Sequence, residues 1–379
     1  MKFLFFLSFF LILYVYLGYP LLISALGLIR GRKVKKVRLE PFVTVLISAF
    51  NEEKVIEQTL RNKLEQEYPV GKLEVVVISD GSTDRTDEIV RKYEGERVRL
   101  TRQEPRAGKT SALNMAVPQA KGEIIAFSDA NSIWAKDALA KLVANFADPG
   151  VGYVTGKMIY TNPDGTPIGD GCTAYMKYEN LLRRLETRLG AVVGVDGGVD
   201  AVRKVLYKPM NPDQLPDFVL PLKVVEQGYR AVYEPGAVLM EPALKEARDE
   251  YRMRVRVSLR SLWALWDMRR LLLFSQGPLF AFQLWGHKVL RYLCFLFLIV
   301  LYFSNLVLWD EGNFYKVVFV LQNIAYLCAL AFPLLEKKGR SLRLLYLPNY
   351  FLLLNLASAH AFLKFIMGKK QITWTPRTG

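Results

Sequence analysis

The sequence predicts an α/β domain of the doubly wound type, a mixed, mostly parallel sheet covered by helices, carried beside α-helical membrane segments. Three observations predict it. Between Phe42 and Tyr160, short runs rich in Val and Ile alternate with amphipathic stretches, the pattern of strands buried on both faces and joined by crossover helices. Phe3 to Ile29 is almost free of charge and exceeds the roughly 20 residues that a helix needs to cross a bilayer core. Three more apolar blocks follow the α/β region: Tyr292 to Trp309, Tyr315 to Leu335 and Leu342 to Met367.

In chain order, the first apolar segment competes between a secretory signal and a membrane anchor. It is longer than a signal core of about 7 to 15 residues, and "SALGLIRG" offers no clear small-x-small cleavage site. A retained anchor is therefore expected. The domain plan is a transmembrane helix over 1–30, a cytoplasmic domain over 41–245, interfacial amphipathic helices over 246–290, a transmembrane region of two to three helices over 291–367, and a tail over 368–379.

Lys plus Arg exceed Asp plus Glu by 51 to 36, a formal charge of +15. The excess clusters in "RGRKVKKVR" after the first span and "EKKGRSLR" after the third, whereas the turn "DEGN", Asp310 to Asn313, is acidic. The positive-inside bias puts the α/β domain on the cytoplasmic side of a bacterial or archaeal plasma membrane and the acidic turn outside. Topology and anionic lipid thus explain the charge, and no nucleic-acid-binding pattern is visible. The block Leu342 to Met367 contains Pro348, Asn349, Asn355, Ser358 and His360, so re-entry and packing inside the bundle stand beside a full crossing.

Within the soluble region the strands are "VTVLIS", "LEVVVIS", "VRLTR", "EIIAFS" and "VGYVTGKMIY". The helices are Glu53 to Gln66, Asp84 to Lys92, Thr110 to Val117 and Ala135 to Phe146. Ligands of doubly wound sheets bind beyond the carboxyl ends of strands. Those ends carry "SAFNEE", "SDGSTD", "QEPRAGKTSALN" and "SDANS". Four such ends converging favour a ligand site, although Asp84, Asn131 and Ser132 could each be helix caps.

Several functions are disfavoured or excluded. Gly108-Lys109-Thr110 resembles the end of an ATP-binding loop, but the glycine required five residues earlier is Gln103, and two strands already precede it. "SAFNEEKV" lacks the glycines of a dinucleotide turn. His287 and His360, the only histidines, lie near membrane segments, which excludes serine and cysteine mechanisms with a histidine base in the soluble domain. Cys172, Cys294 and Cys328 have no paired spacing and imply neither a zinc site nor a disulfide framework.

Together these strand ends resemble family 2 inverting glycosyltransferases of the GT-A fold, in particular the membrane-embedded branch with cellulose, chitin and hyaluronan synthases and ceramide glucosyltransferase. The resemblance covers about Pro41 to Leu273. It implies a nucleotide-sugar donor, UDP-linked as a rule in the family, a lipid or glycan acceptor, and a divalent cation, Mg or Mn. By similarity Ala49 and Glu52 line the nucleoside pocket, Asp80 accepts from the base, and Arg106 and Lys109 lie near the nucleotide and its diphosphate. The family's Asp-x-Asp metal motif reads Asp129-Ala130-Asn131 here. An amide oxygen still suits Mg or Mn but brings no charge, so metal dependence is expected to be retained and weaker.

The resemblance assigns the general base to Asp217 in "LPDFVLPLKVVEQGYR", where Leu215 and Pro216 replace the family's Thr-Glu and Gly228-Tyr229 keep the downstream register. Helix capping is the alternative for Asp217. The family's Q-x-x-R-W arginine corresponds best to Arg256, with Arg254 and Arg260 as substitutes, and both Gln and Trp are lost. A basic interfacial helix is compatible with that role. The missing tryptophan favours transfer of one or a few sugars over extrusion of a long polymer. In "GVDGGVDAVRK", Asp196 could contact an acceptor hydroxyl, while Gly194, Gly197 and Gly198 fit a tight backbone turn, which is the favoured reading. The competing functions are a processive polysaccharide synthase, a nucleotide-sugar binding protein without turnover, and a membrane scaffold.

Overall fold

The structure, a computed structural model, describes residues 1–162, 167–244, 246–274, 277–336 and 343–371. The chain forms two compact units.

The first unit, Leu26–Tyr160 with Tyr178–Glu241, is built on one eight-stranded sheet. Its strands are β1 Val43–Ala49, β2 Leu73–Asp80, β3 Val98–Gln103, β4 Ile124–Asp129, β5 Ile133–Trp134, β6 Val151–Thr161, β7 Asp200–Arg203 and β8 Arg230–Pro242. Their order is β3-β2-β1-β4-β7-β6-β8-β5. The first four pair in parallel, with Val45 opposite Val75 and Ala126. β7 runs antiparallel to both β4 and β6, and β5 antiparallel to β8. The sheet is therefore parallel on one side and antiparallel on the other.

All residues of β1 and β2 are buried, which explains why they read as continuous apolar runs rather than as alternating ones. The helix Ile56–Leu64 buries Ile56 and Leu60, each contributing about 1.5 to 3 kcal/mol. β5, β7 and β8 are not among the strands expected from sequence. β5 has two residues, β7 has four, and β8 is buried continuously from Ala231 to Glu234 and alternates only from Gly236 onward.

Capping is divided among the candidates. Asp84 accepts from the Thr86 N–H at 2.9 Å and from its hydroxyl at 2.6 Å, and so caps the turn into Thr86–Arg91. No helix follows Asn131 and Ser132. β5 intervenes, and the helix expected from Ala135 begins at Ala138.

The second unit is Met1–Ala25, Thr161–Lys177 and Pro242–Lys370. Among the described residues, Lys2–Arg30 and Asn313–Pro333 are long and apolar enough to cross a membrane. The block at Tyr292 to Trp309 is not one straight span. Its helix, Cys294–Val307, meets Pro278–Tyr292 at a 59° bend, and only the bent pair together reaches spanning length. Phe5, Leu301, Leu308 and Tyr315 form an apolar cluster, and Tyr302 donates to Asn323 across the expected hairpin at 3.3 Å.

Arg343–Ile366 is not among the candidate spans. It packs along the amphipathic helix Ala247–Asp267 through Val255, Leu259, Ala357 and Ala361. Tyr251 meets His360 at 3.1 Å on the same seam. Lys337, Lys338 and Arg340 of the expected basic loop, and the tail beyond Gln371, lie outside the described residues.

Candidate active site

The carboxyl ends of β1, β2 and β4 bring the predicted residues together. Asp80 ends β2 and is 0% exposed. Its Oδ1 accepts from the Ala107 and Gly108 amides at 2.9 and 3.1 Å, and its Oδ2 from the Gly108 amide at 3.0 Å. The Gln103 side chain also donates to Oδ1. The amides that an ATP-binding loop would turn toward phosphate are held here by the protein's own carboxylate. That contact is the structural account of Gly108-Lys109-Thr110: Asp80 anchors the basic loop at the start of the helix Lys109–Ala116. Arg106 lies 3.5 Å from Asp80 and stacks 3.4 Å above the ring of Phe50. Gly81, at φ +69, leaves room for Arg106 to pass.

Ala49 is buried at the end of β1. Glu52 follows it, and its N–H donates to Thr86 at 2.8 Å. Between them Asn51 adopts φ +54, and its side-chain oxygen accepts from the Thr83 N–H at 2.8 Å. This tie locks the first strand end to the second. Asn51 and Phe50 were not singled out from sequence. An Asn after a strand, tolerant of the left-handed region, was the available signal.

Lys109 is the centre of the cluster. Its Nζ lies 2.6 Å from Asp129 Oδ1 and 3.3 Å from Asp217 Oδ1. Burial draws the ammonium down, but the carboxylates of Asp129 and Asp217 more than offset this and hold it above the ordinary lysine value. Asp217 sits in the first turn of Pro216–Glu226, whose N-cap is Leu215, with no capping bond from a side chain. Its carboxylate points to Lys109, not to the helix end.

The glycine turn lies between the two acids. A side chain at Gly197 would collide with the Asp217 carboxylate. One at Gly198, φ +94, would meet Ser132 Oγ at 2.7 Å and Asp129 Oδ2 at 3.4 Å. Asp196 is engaged by Arg183, which binds both its oxygens and also donates to the Gly194 carbonyl at 3.1 Å. Asp196 thus braces the turn.

Asp200, the first residue of β7, is a functional neighbour that sequence reasoning passed over. It is 1% exposed, and neither oxygen has a partner of full hydrogen-bond geometry, the hydroxyls of Thr155 and Tyr153 being the donors beside it. Burial first, and the Asp217 carboxylate next, push its pKa well above the carboxyl range. Only its place in the tertiary fold marks it, because Asp at a strand start reads as a turn residue.

For a metal, Asp129 and Asn131 offer one carboxylate and one amide, and no group of three or more His, Cys, Asp or Glu side chains suited to a metal occurs among the described residues. This donor set fits an oxygen-preferring cation that shares its shell with diphosphate and water, not one caged by protein. The arginines belong to the second unit. Arg254 bonds Glu250 at 2.7 Å and Tyr350 at 2.9 Å, Arg260 is buried in the same helix, and Arg256 lies between them in sequence.

Residues 44–199 match the family described as Glycosyl transferase family 2. The chain is 34% identical over 168 residues to the beta-monoglucosyldiacylglycerol synthase of Nostoc sp., covering 43% of this chain and 36% of the relative. It is 30% identical over 269 residues to the poly-beta-1,6-N-acetyl-D-glucosamine synthase of Staphylococcus aureus, covering 66% and 64%. The matched stretches thus span between about a third and just under two thirds of these relatives. The mannosyltransferase PcManGT of Pyrobaculum calidifontis, solved with GDP-Man and Mn2+, superposes with a TM-score of 0.74 at 25% identity, over 97% of this chain and 99% of its own. Strand ends and glycine turn agree with the family match, so residues 44–199 resemble glycosyl transferase family 2, and the sheet with its flanking helices has the GT-A fold.

Proposed function

We propose that the chain is a membrane-anchored inverting glycosyltransferase that moves a sugar from a nucleoside diphosphate sugar to a hydroxyl of a lipid or envelope-glycan acceptor. The observation that carries this is the junction of Asp129 and Asp217 on one ammonium, Lys109, at the carboxyl end of the parallel strands. Asp217 takes the proton of the acceptor hydroxyl as its oxygen attacks the anomeric carbon. The bond from that carbon to the diphosphate breaks, and its electron pair leaves with the diphosphate. Lys109 faces the charge that develops there, while the loop held by Asp80 keeps Lys109 and Arg106 in place. Asp129 and Asn131 would hold a divalent cation, which would supply positive charge at the leaving group. Arg256, or Arg254 or Arg260 beside it, is the further cation for the diphosphate.

The named relatives support the acceptor class, since one makes a glycolipid and another a glycan. The P. calidifontis enzyme holds a guanosine nucleotide and Mn2+, which adds GDP-sugars to the UDP-sugars that the family resemblance implies and supports use of Mg or Mn. The tryptophan missing after Arg256 favours one or a few sugars over the long chains of the cellulose, chitin and hyaluronan branch. The polymer-forming S. aureus relative keeps a processive reading as the alternative.

The membrane segments support one orientation. Lys2, at the start of the first helix, pairs with Glu311 of the acidic turn at 2.8 Å, so these two ends share a side. The basic stretch from Arg30 to Arg38 follows the other end of that helix, and by the positive-inside bias this supports a cytoplasmic side for it and for the catalytic domain.

The test is release of free UDP or GDP by detergent-purified protein, across UDP- and GDP-sugars with Mn2+, with and without extracted lipid. Turnover with one donor, absent in Asp217→Asn, is expected, and the size of the product separates single transfer from polymer. Nucleotide binding without turnover on any donor and acceptor would leave a binding protein.

A further inference from the structure

One lysine stands where the fold asks for an apolar side chain. In Ile56–Leu64 the buried positions are Ile56, Thr59, Leu60 and Lys63, the i, i+3, i+4, i+7 stripe of a core-facing helix. Lys63 is 0% exposed, although lysine is almost never fully buried without a partner. Its Nζ donates to the Ser132 carbonyl at 2.6 Å and to Asn62 Oδ1 at 2.9 Å, and lies 4.5 Å from the centre of the Trp134 ring. Two acceptors and a π face match the three N–H groups of an ammonium. Burial holds Lys63 well below the ordinary lysine value, and the Asp129 charge offsets only part of that.

Every group that Lys63 holds leads into the site. Ser132 closes the metal loop, its N–H bonded to the Asp129 carbonyl at 3.2 Å. One turn earlier in the helix, Thr59 donates to the Ala130 carbonyl at 2.6 Å. Asn62 donates to the Trp134 carbonyl at 2.9 Å and accepts from its N–H at 2.8 Å. The Trp134 indole N–H then donates to the Gly198 carbonyl at 2.6 Å, in the turn wedged between Asp129 and Asp217.

We propose that Lys63 is a positioning residue: through Ser132 and Trp134 it fixes the Asp129–Asn131 loop against the glycine turn under Asp217, and so sets the nucleotide diphosphate and its cation against the base. The proposal rests on the glycosyltransferase reading above. Lys63 is sealed from solvent, so its role is to position other groups and not to contact substrate. A leucine or methionine would fill the same volume without desolvating a charge, so stability alone does not account for a lysine here.

The experiment uses the full chain in detergent, as wild type, Lys63→Met and Trp134→Phe, and measures three quantities: melting temperature, Mn2+ affinity by electron paramagnetic resonance with saturating GDP or UDP, and donor kinetics at saturating Mn2+. Groups that orient metal ligands are worth about 10- to 100-fold in affinity or activity. Lys63→Met is therefore expected to weaken Mn2+ binding by at least about tenfold and to lower kcat by a similar factor, with donor KM within about threefold. Trp134→Phe shifts both in the same direction by less, and the double variant loses less than the product of the singles. A Lys63→Met protein that melts lower yet keeps wild-type Mn2+ affinity and kcat overturns the proposal. Should Lys63→Met not fold, a folded Trp134→Phe with both values unchanged overturns it equally. Wild type that binds neither nucleotide overturns the glycosyltransferase reading and this one with it, whereas binding wild type with unaltered variants sinks this inference alone.

Discussion

The ammonium of Lys109 lies 3.3 Å from the carboxylate of Asp217, 108 residues away in the chain, while it also binds Asp129 at 2.6 Å. The proposed base and the proposed metal ligand therefore share one cation, and the consequences of removing each partner differ.

Asp217→Asn keeps the size of the side chain and abolishes its capacity to take a proton. Turnover is expected to fall by about 10²- to 10⁴-fold, with nucleotide affinity within a few-fold of wild type. Nucleotide release assays and calorimetric titration check the pair, and near-normal turnover would remove Asp217 from the mechanism.

Lys109→Met leaves Asp129 and Asp217 facing each other without their cation. Both carboxylates are partly exposed, so solvent screens part of the loss, and a cost of about 1 to 3 kcal/mol is expected. Nucleotide affinity drops as well, because the charge facing the diphosphate is gone. Denaturant unfolding together with nucleotide titration measures both, and a variant that binds nucleotide like wild type contradicts the role given to Lys109.

Gly197→Ala places a methyl group against the Asp217 carboxylate, whereas a methyl at Gly71 meets nothing within 4 Å. The first substitution is expected to lower kcat by about 10- to 100-fold, the scale of a small misplacement of a catalytic group; Gly71→Ala leaves it unchanged. Equal kinetics in the two variants would show that the turn does not set the base.

Asp200 gives a pH signature. Its pKa is raised in the folded chain by burial and by Asp217, so between the ordinary carboxyl value and the folded value the native state holds a proton that the unfolded state has lost. The stabilisation this brings is complete below the ordinary value and is lost as pH rises through the folded one. Asp200→Asn removes the dependence. It is expected to raise the melting temperature at pH 7 to 8, by an amount that shrinks to nothing near pH 4. A gain of the same size at both pH values would contradict the buried neutral acid.

Asn131→Asp restores a second carboxylate to the metal loop. Mn2+ affinity in the presence of nucleotide is expected to rise by about tenfold, the order that a metal-site charge contributes at partial exposure. Chelation with EDTA should reduce wild-type turnover and be reversed by added Mn2+. Turnover indifferent to EDTA would take the cation out of the reaction.

The sequence alone determined β1 to β4 and β6, because strands buried on both faces are continuous apolar runs, and the two long apolar helices, because bilayer thickness sets their length. It also marked the strand ends as the place for chemistry, since a doubly wound sheet leaves its ligands nowhere else. The two-residue β5 and four-residue β7 were too short to carry periodicity and exist through pairing with β8, β4 and β6. Only the tertiary structure decided that Asp80 binds the Gly108 amide, that Asp217 and Asp129 meet on Lys109, and that Lys63 and Asp200 lie buried beneath them. Those relations join residues far apart in the chain. They are fixed by strand order and register, which a local pattern of side chains does not encode.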